Sequence, residues 1–221
     1  MKEYLKIQSI FKRCDEGKGK GKFIEGNWSM PEFEYLKDNQ WIWTEKVDGT
    51  NIRIMWDTKE VRFGGKTDDA QIPIFLLRRL QDLFPLDKFK SLYPEASMCL
   101  YGEGFGARIQ EDGGNYIPNG VDFILFDVLV DSWCLERENI EDVAQKLGIK
   151  VVPIVGEGSI QSAIDTVKSG LKSRWGEFKA EGLVLKPRIE LYTRAGHRII
   201  TKLKHKDFAG YGEKREEANG K

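Results

Sequence analysis

The chain has 221 residues with 35 Lys and Arg against 35 Asp and Glu, so its formal net charge is zero and no overall basic surface marks a nucleic-acid partner; any such surface must be local. Hydrophobic residues at 40% and charged residues at 32% exclude a disordered chain, and the length suits one large domain with a sizeable core. Cys14, Cys99 and Cys134 form no CxxC pair, which excludes a disulfide framework and a cysteine zinc site. With no signal-like N-terminus and no apolar run near the roughly 18 residues of a spanning helix, the expected location is the cytoplasm.

In chain order, the first feature is the run GKGKGKF, Gly17 to Phe23. It reads as a solvated, mobile loop, because no apolar face, helix start or GK[ST] accompanies it. Strand patterns follow at 41–45 (WIWTE) and 51–56 (NIRIMW), then a helical pattern IFLLRRLQDLF from Ile74. Next come a strand at 97–103 (SMCLYGE) and a two-sided apolar one at 121–130 (VDFILFDVLV), hence central. The helix RENIEDVAQKL starts at Arg137 and stops at Gly148; a strand VVPIV covers 151–155. SIQSAIDTVKSG reads as a helix with Ser159 as N-cap and Gly170 as stop. Strands at 182–187 (GLVLKP) and 198–204 (RIITKLK) complete the pattern. GEGFG at 102–106 ends a strand without opening a helix, so it is not a dinucleotide-binding loop. Strands outnumber helices without regular βαβ alternation, which favours an α+β fold with antiparallel or mixed sheets.

Chemistry concentrates in EKVDGTN, 45–51, where Lys46, Asp48 and Gly49 sit at a bend between two strands. Alone this is a short pattern. Four strings accompany it in order: YGEG (101–104), FILFDV (123–128), EGLVLK (181–186) and KLK (202–204). Together they resemble the covalent nucleotidyltransferase superfamily of ATP-dependent RNA and DNA ligases and mRNA capping enzymes, most closely RNA ligases of the phage T4 RNA ligase 2 type. The resemblance covers about Trp41 to Lys204; EKVDGTN looks like the nucleophile motif, and YGEGFGARIQEDGGNY like the acidic motif that follows it, with its extension.

The resemblance implies an α+β nucleotidyltransferase domain, ATP-grasp-like, with antiparallel or mixed sheets flanked by helices. It implies that Lys46 is the nucleophile that takes AMP from ATP, and that Lys202 and Lys204 act with it in catalysis. Glu45, Asp48, Asn51 and Glu103 fall among the nucleotide-binding residues, Glu103 toward the ribose. Phe126, which its apolar run alone would assign to core packing, is placed against the adenine face. Lys66 meets a 5′-phosphate or the nucleotide phosphates, with Arg62 as competitor. Glu181 supports a divalent metal; hard oxygen ligands suit Mg²⁺ or Mn²⁺, and the two histidines, His197 and His205, are too few for an imidazole site.

The residue types make independent sense. An attacking amine must be neutral, whereas free lysine titrates near 10.4, and nearby cations with partial desolvation lower that value. Residues i and i+2 of a strand share a face, so Lys202 and Lys204 point together while Leu203 faces the core. Two ammonium groups there neutralise phosphate charge as pyrophosphate leaves. The expected function is ATP-dependent RNA ligation through lysyl-AMP, joining a 5′-phosphate RNA end to a 3′-hydroxyl. Asn51 and the GARIQEDGGNY extension favour this over a DNA nick ligase or a GTP-dependent capping guanylyltransferase; a non-catalytic nucleic-acid-binding domain is a more distant alternative. Only seventeen residues follow Lys204, so residues 1–221 are expected to form a single nucleotidyltransferase domain without an appended OB-fold or helical domain. RNA is then gripped through a local basic surface or with a protein partner.

Overall fold

The computed structural model describes residues 3–16 and 20–208. Its elements open with β1 (Gln8–Ser9), β2 (Phe11–Arg13), β3 (Phe23–Trp28), α1 (Pro31–Tyr35) and β4 (Trp41–Glu45). β5 (Thr50–Trp56), β6 (Val61–Gly64), α2 (Ile74–Leu83), α3 (Leu86–Leu92), β7 (Met98–Gly106) and α4 (Gly113–Tyr116) follow. Then come β8 (Val121–Val130), β9 (Trp133–Cys134), α5 (Arg137–Leu147), β10 (Lys150–Val151) and β11 (Ile154–Gly158). α6 (Ile160–Lys168), β12 (Gly182–Pro187), β13 (Thr201–Lys204) and α7 (His205–Phe208) close the described chain. The fold is α+β, with mixed sheets. No helix among the described residues is long and apolar enough to cross a membrane.

The chain divides into two compact units: a flanking one, Lys6–Lys46 with Pro153–Lys221, and a central one, Val47–Val152 with Met1–Leu5. The flanking unit holds a five-stranded sheet ordered β1-β13-β12-β4-β11, in which β1 runs parallel to β13 and the other pairs are antiparallel. Alternation along β4 and β13 turns Trp41, Trp43 and Leu203 into its core. α6 lays Ile160, Ala163, Ile164 and Val167 on that core, a 3.6-period stripe, and Ser159 Oγ caps it by accepting from the Ser162 N–H at 3.1 Å.

The central unit is built on a sheet ordered β10-β8-β7-β5-β6, with β9 paired to β8. β7 and β8 carry buried residues on both faces, as the two-sided apolar pattern implies. α2 contributes Leu76 and Leu80 to the core, and α5 contributes Ile140, Val143, Ala144 and Leu147. α5 ends at Gly148, whose φ of 66° is the left-handed conformation glycine supplies at a helix stop.

Four sequence expectations change. The 151–155 strand is two strands, β10 against β8 and β11 against β4, broken where Val152 and Pro153 fall to different units. The last strand is shorter than 198–204, because Arg198 turns to an ion pair with Glu190 at 2.5 Å and only Thr201–Lys204 joins the ladder. β7 runs on to Gly106, so GEGFG lies inside the strand. The GKGKGKF loop lies partly outside the described residues, and its last residue, Phe23, opens β3.

Candidate active site

In the flanking unit three neighbouring strands align Lys46, Glu181 and Lys204. Lys46 follows β4, and its backbone N–H donates to the Gly182 carbonyl at 2.9 Å. Gly182 in turn stands opposite Lys204 in the β12–β13 register. A Cβ on Gly182 would lie 1.9 Å from the Leu203 carbonyl oxygen, so glycine is what lets β12 close on β13 here. Glu181, one residue earlier, accepts from Lys46 Nζ at 2.5 Å through Oε2 and from Lys204 Nζ at 2.6 Å through Oε1. Burial pushes the Glu181 carboxyl up, but the Lys46 charge and the hydrogen bonds from Lys204 and Lys46 outweigh it and hold it below the usual carboxylate range. Lys202 shares the half-exposed strand face with Lys204, while Leu203 between them is in the core.

Glu45, next to Lys46, is 1% exposed and faces the protein interior. Its Oε1 accepts from the Ser173 hydroxyl at 2.6 Å and its Oε2 from the Arg174 N–H at 2.8 Å. Burial raises its pKa, and these two bonds and the Arg174 charge offset that rise only in part. Glu45 therefore anchors the chain that carries Lys46 to the 173–174 segment. No local sequence signal identifies that segment as its partner.

The central unit gathers the other candidates. The Asp48 N–H donates to the Tyr116 hydroxyl at 3.2 Å, and Gln110 Nε2 donates to the Gly49 carbonyl at 2.9 Å, so the GARIQEDGGNY extension holds the bend after Lys46. A Cβ on Gly49 would fall 2.4 Å from the Gly104 carbonyl oxygen and 2.8 Å from Glu103 Cγ; the glycine lets the bend approach β7. Asn51 and Glu103 are paired across β5 and β7. Asn51 Oδ1 is buried and has no hydrogen-bond partner among the described residues. An acceptor in that condition calls for a donor.

Phe126 occupies a β-bulge, since Tyr101 pairs with Asp127 and Gly102 with Leu125. Three residues on from Phe123, its ring falls on the other face of the strand, outside the core cluster that holds Phe123, and is half-buried. Tyr4 packs there, its ring centroid 5.0 Å from Phe126 and 4.9 Å from Tyr101, and its hydroxyl donates to Asp127 Oδ2 at 2.7 Å. Tyr4 lies outside every motif string, and only the tertiary fold unites it with Asp127 of FILFDV. Lys66 is exposed just beyond β6, and its competitor Arg62 is engaged by Asp57 at 3.1 Å and Glu60 at 3.5 Å.

Among the described residues no group of three or more His, Cys, Asp or Glu is arranged to hold a metal ion. One carboxylate completed by substrate phosphate oxygens is a common way to hold Mg²⁺. Glu181 brings one carboxylate to the cluster with Lys46 and Lys204, its Oε1 and Oε2 each engaged by a lysine ammonium.

The family model described as RNA ligase matches residues 39–204. No curated protein matches the chain. Among solved structures, a Naegleria gruberi RNA ligase with PPi is 20% identical, covers 84% of this chain and 55% of its own length, and has a TM-score of 0.64. A variant with AMP and Mn is 18% identical, covering 83% of this chain and 55% of its own, at a TM-score of 0.65. A further variant with ATP and Mn is also 18% identical and covers 96% and 59%, at 0.65. At such identity the likeness concerns the fold, and this chain spans little more than half the length of those proteins.

Proposed function

The chain belongs to the RNA ligase family, and we propose that it is an ATP-dependent RNA ligase working through a covalent lysyl-AMP on Lys46. The neutral Lys46 amine attacks the α-phosphorus of ATP; the new N–P bond forms as the bond to the β-phosphate oxygen breaks and pyrophosphate leaves. A 5′-phosphate oxygen of RNA then takes the AMP from Lys46, and a 3′-hydroxyl displaces AMP to form the phosphodiester.

The observation that carries this reading is the pair of lysines sharing Glu181, with Oε2 on Lys46 at 2.5 Å and Oε1 on Lys204 at 2.6 Å. An ionised Glu181 holds the Lys46 chain in place, and the ammonium must pass a proton to a base, for which Glu181 Oε2 at 2.5 Å is within reach, before its lone pair is available. Lys204 and Lys202 bring positive charge to a departing pyrophosphate, the form of stabilisation that dominates phosphoryl transfer. Glu45 positions Lys46 from behind, through Ser173 and Arg174. In the central unit, Asn51 Oδ1 offers an acceptor to the nucleotide, Glu103 a carboxylate to the ribose, and Phe126 an aromatic face to the adenine. Glu181 is the residue that would meet Mg²⁺ or Mn²⁺, which bound there supplies charge screening at phosphorus.

Intact-protein mass spectrometry with ATP and Mg²⁺ or Mn²⁺ tests the proposal. The wild type should gain the mass of one AMP and Lys46→Ala none. An adduct formed from GTP alone points instead to guanylyl transfer, and a wild type that takes up neither nucleotide overturns the enzymatic reading.

A further inference from the structure

Beyond the lysines assigned to the nucleotide, the flanking unit contains a cavity of about 1040 Å³ where β1 and β2 meet β13 and α7. Six cationic side chains line it against three carboxylates. Lys202 and Lys204 form one part of the wall, and Lys6, Lys12, Arg13 and Lys206 extend it. The topology explains the gathering. β1 runs parallel to β13 with Ser9 opposite Lys202, so the chain delivers Lys6 before the strand and Lys12 after it. Lys6, Lys12 and Lys206 are exposed.

Arg13 is fixed. Its guanidinium donates to Asp207 Oδ1 at 2.8 Å and to the Gly21 carbonyl at 2.7 Å, and lies 4.6 Å from the Phe23 ring centroid. With Arg13 held by Asp207 and Lys204 by Glu181, the exposed Lys6, Lys12 and Lys206 still outnumber the other two lining carboxylates, Asp15 and Glu16.

Small-molecule sites of roughly 300–1,000 Å³ are mostly apolar with a few polar groups. This cavity reaches the top of that size range and is walled by ammonium groups, which matches a ligand with several phosphates in a row. We propose that it docks the phosphodiester backbone of an RNA strand, with Lys6, Lys12, Arg13 and Lys206 as phosphate contacts continuous with Lys202 and Lys204. The choice of RNA over another polyanion rests on the ligase reading. Such contacts position a strand without reading its sequence, and they release counterions, so binding falls steeply with salt.

The test is fluorescence anisotropy of a short single-stranded RNA against the full chain over a salt series, without ATP, for wild type and Lys12→Ala/Lys206→Ala. Two lost contacts should flatten the slope of log affinity on log salt by about 1.4 and lower affinity roughly tenfold or more at moderate salt, whatever the RNA sequence. The same proteins are assayed for the ATP concentration that half-saturates adduct formation. RNA affinity and slope equal to wild type overturn the proposal, as does an effect confined to the ATP requirement, which assigns the cavity to the triphosphate. If the wild type forms no lysyl-AMP and yet RNA binding depends on the two lysines, the ligase reading fails and the cavity proposal stands.

Discussion

Phe123 and Phe126 lie one helical-looking step apart in an apolar run, yet β8 gives them opposite environments. Phe123 is 1% exposed, and its ring meets Phe84 edge-on with centroids 5.3 Å apart. Phe126, at the bulge, is half-buried beside Tyr4. Phe123→Ala should therefore cost about 3–5 kcal/mol in urea unfolding, as a cavity in a close-packed core does. Phe126→Ala should lose far less stability, while the ATP concentration needed for half-maximal adduct rises roughly tenfold or more, since stacking on one base is worth about 1–3 kcal/mol. Equal destabilisation by both changes, with an unaltered ATP requirement, would return Phe126 to the core. Composition alone cannot separate the two phenylalanines, because both sit in one apolar string; three residues apart on a strand they face opposite ways, but which face meets the closed core is settled only by the elements packed on the sheet. Lys46, Glu181 and Lys204 could be singled out because the ordered strings EKVDGTN, EGLVLK and KLK carry them. Tyr4 was not, for its partner Asp127 is 123 residues away.

At the scale of elements, the closure of β12 on β13 carries the site. Gly182→Ala should force the Leu203 carbonyl and the Lys204 Cα away from their present approaches of 1.9 and 2.8 Å to the added Cβ, shifting the strand that carries Lys204 away from Glu181. The expected result is a loss of more than about 3 kcal/mol, in the range of severe overpacking, together with a large drop in adduct formation. Ser159→Ala is the comparison. It removes only the α6 cap to Ser162 N–H and should cost about 1 kcal/mol with adduct formation retained. A Gly182→Ala protein as stable as Ser159→Ala would show that β12 can move without harm. The α6 cap and the Gly148 stop were readable because capping is local chemistry. β1 and β2, only two and three residues long, were not, since strands that short carry no period and form only because β13 and β3 are there to pair with them.

For the molecule as a whole, acid stability depends on two carboxyl groups whose pKa values shift in opposite directions on folding. Net charge is zero at pH 7, so repulsion builds only as carboxylates protonate. Glu181, held below its ordinary range, stabilises the fold above the unfolded carboxylate pKa near 4.5, and that contribution disappears as pH falls through its lower folded value. Glu45, raised by burial, behaves in reverse: its contribution is complete below the unfolded pKa and is lost as pH rises through the folded one. Glu181→Gln leaves Lys46 and Lys204 without their shared counter-charge. It should lose about 1–3 kcal/mol at neutral pH, given side chains 22% and 16% exposed, and its deficit against wild type should shrink toward pH 4. Glu45→Gln preserves both contacts, because its carbonyl accepts from Arg174 N–H while its amide donates to Ser173 Oγ. Its stability relative to wild type should therefore be most favourable at neutral pH and decline on acidification. Urea midpoints of the three proteins between pH 4 and pH 8 decide the matter: the two differences must run in opposite directions with pH, and parallel curves would mean that neither carboxylate titrates differently on folding.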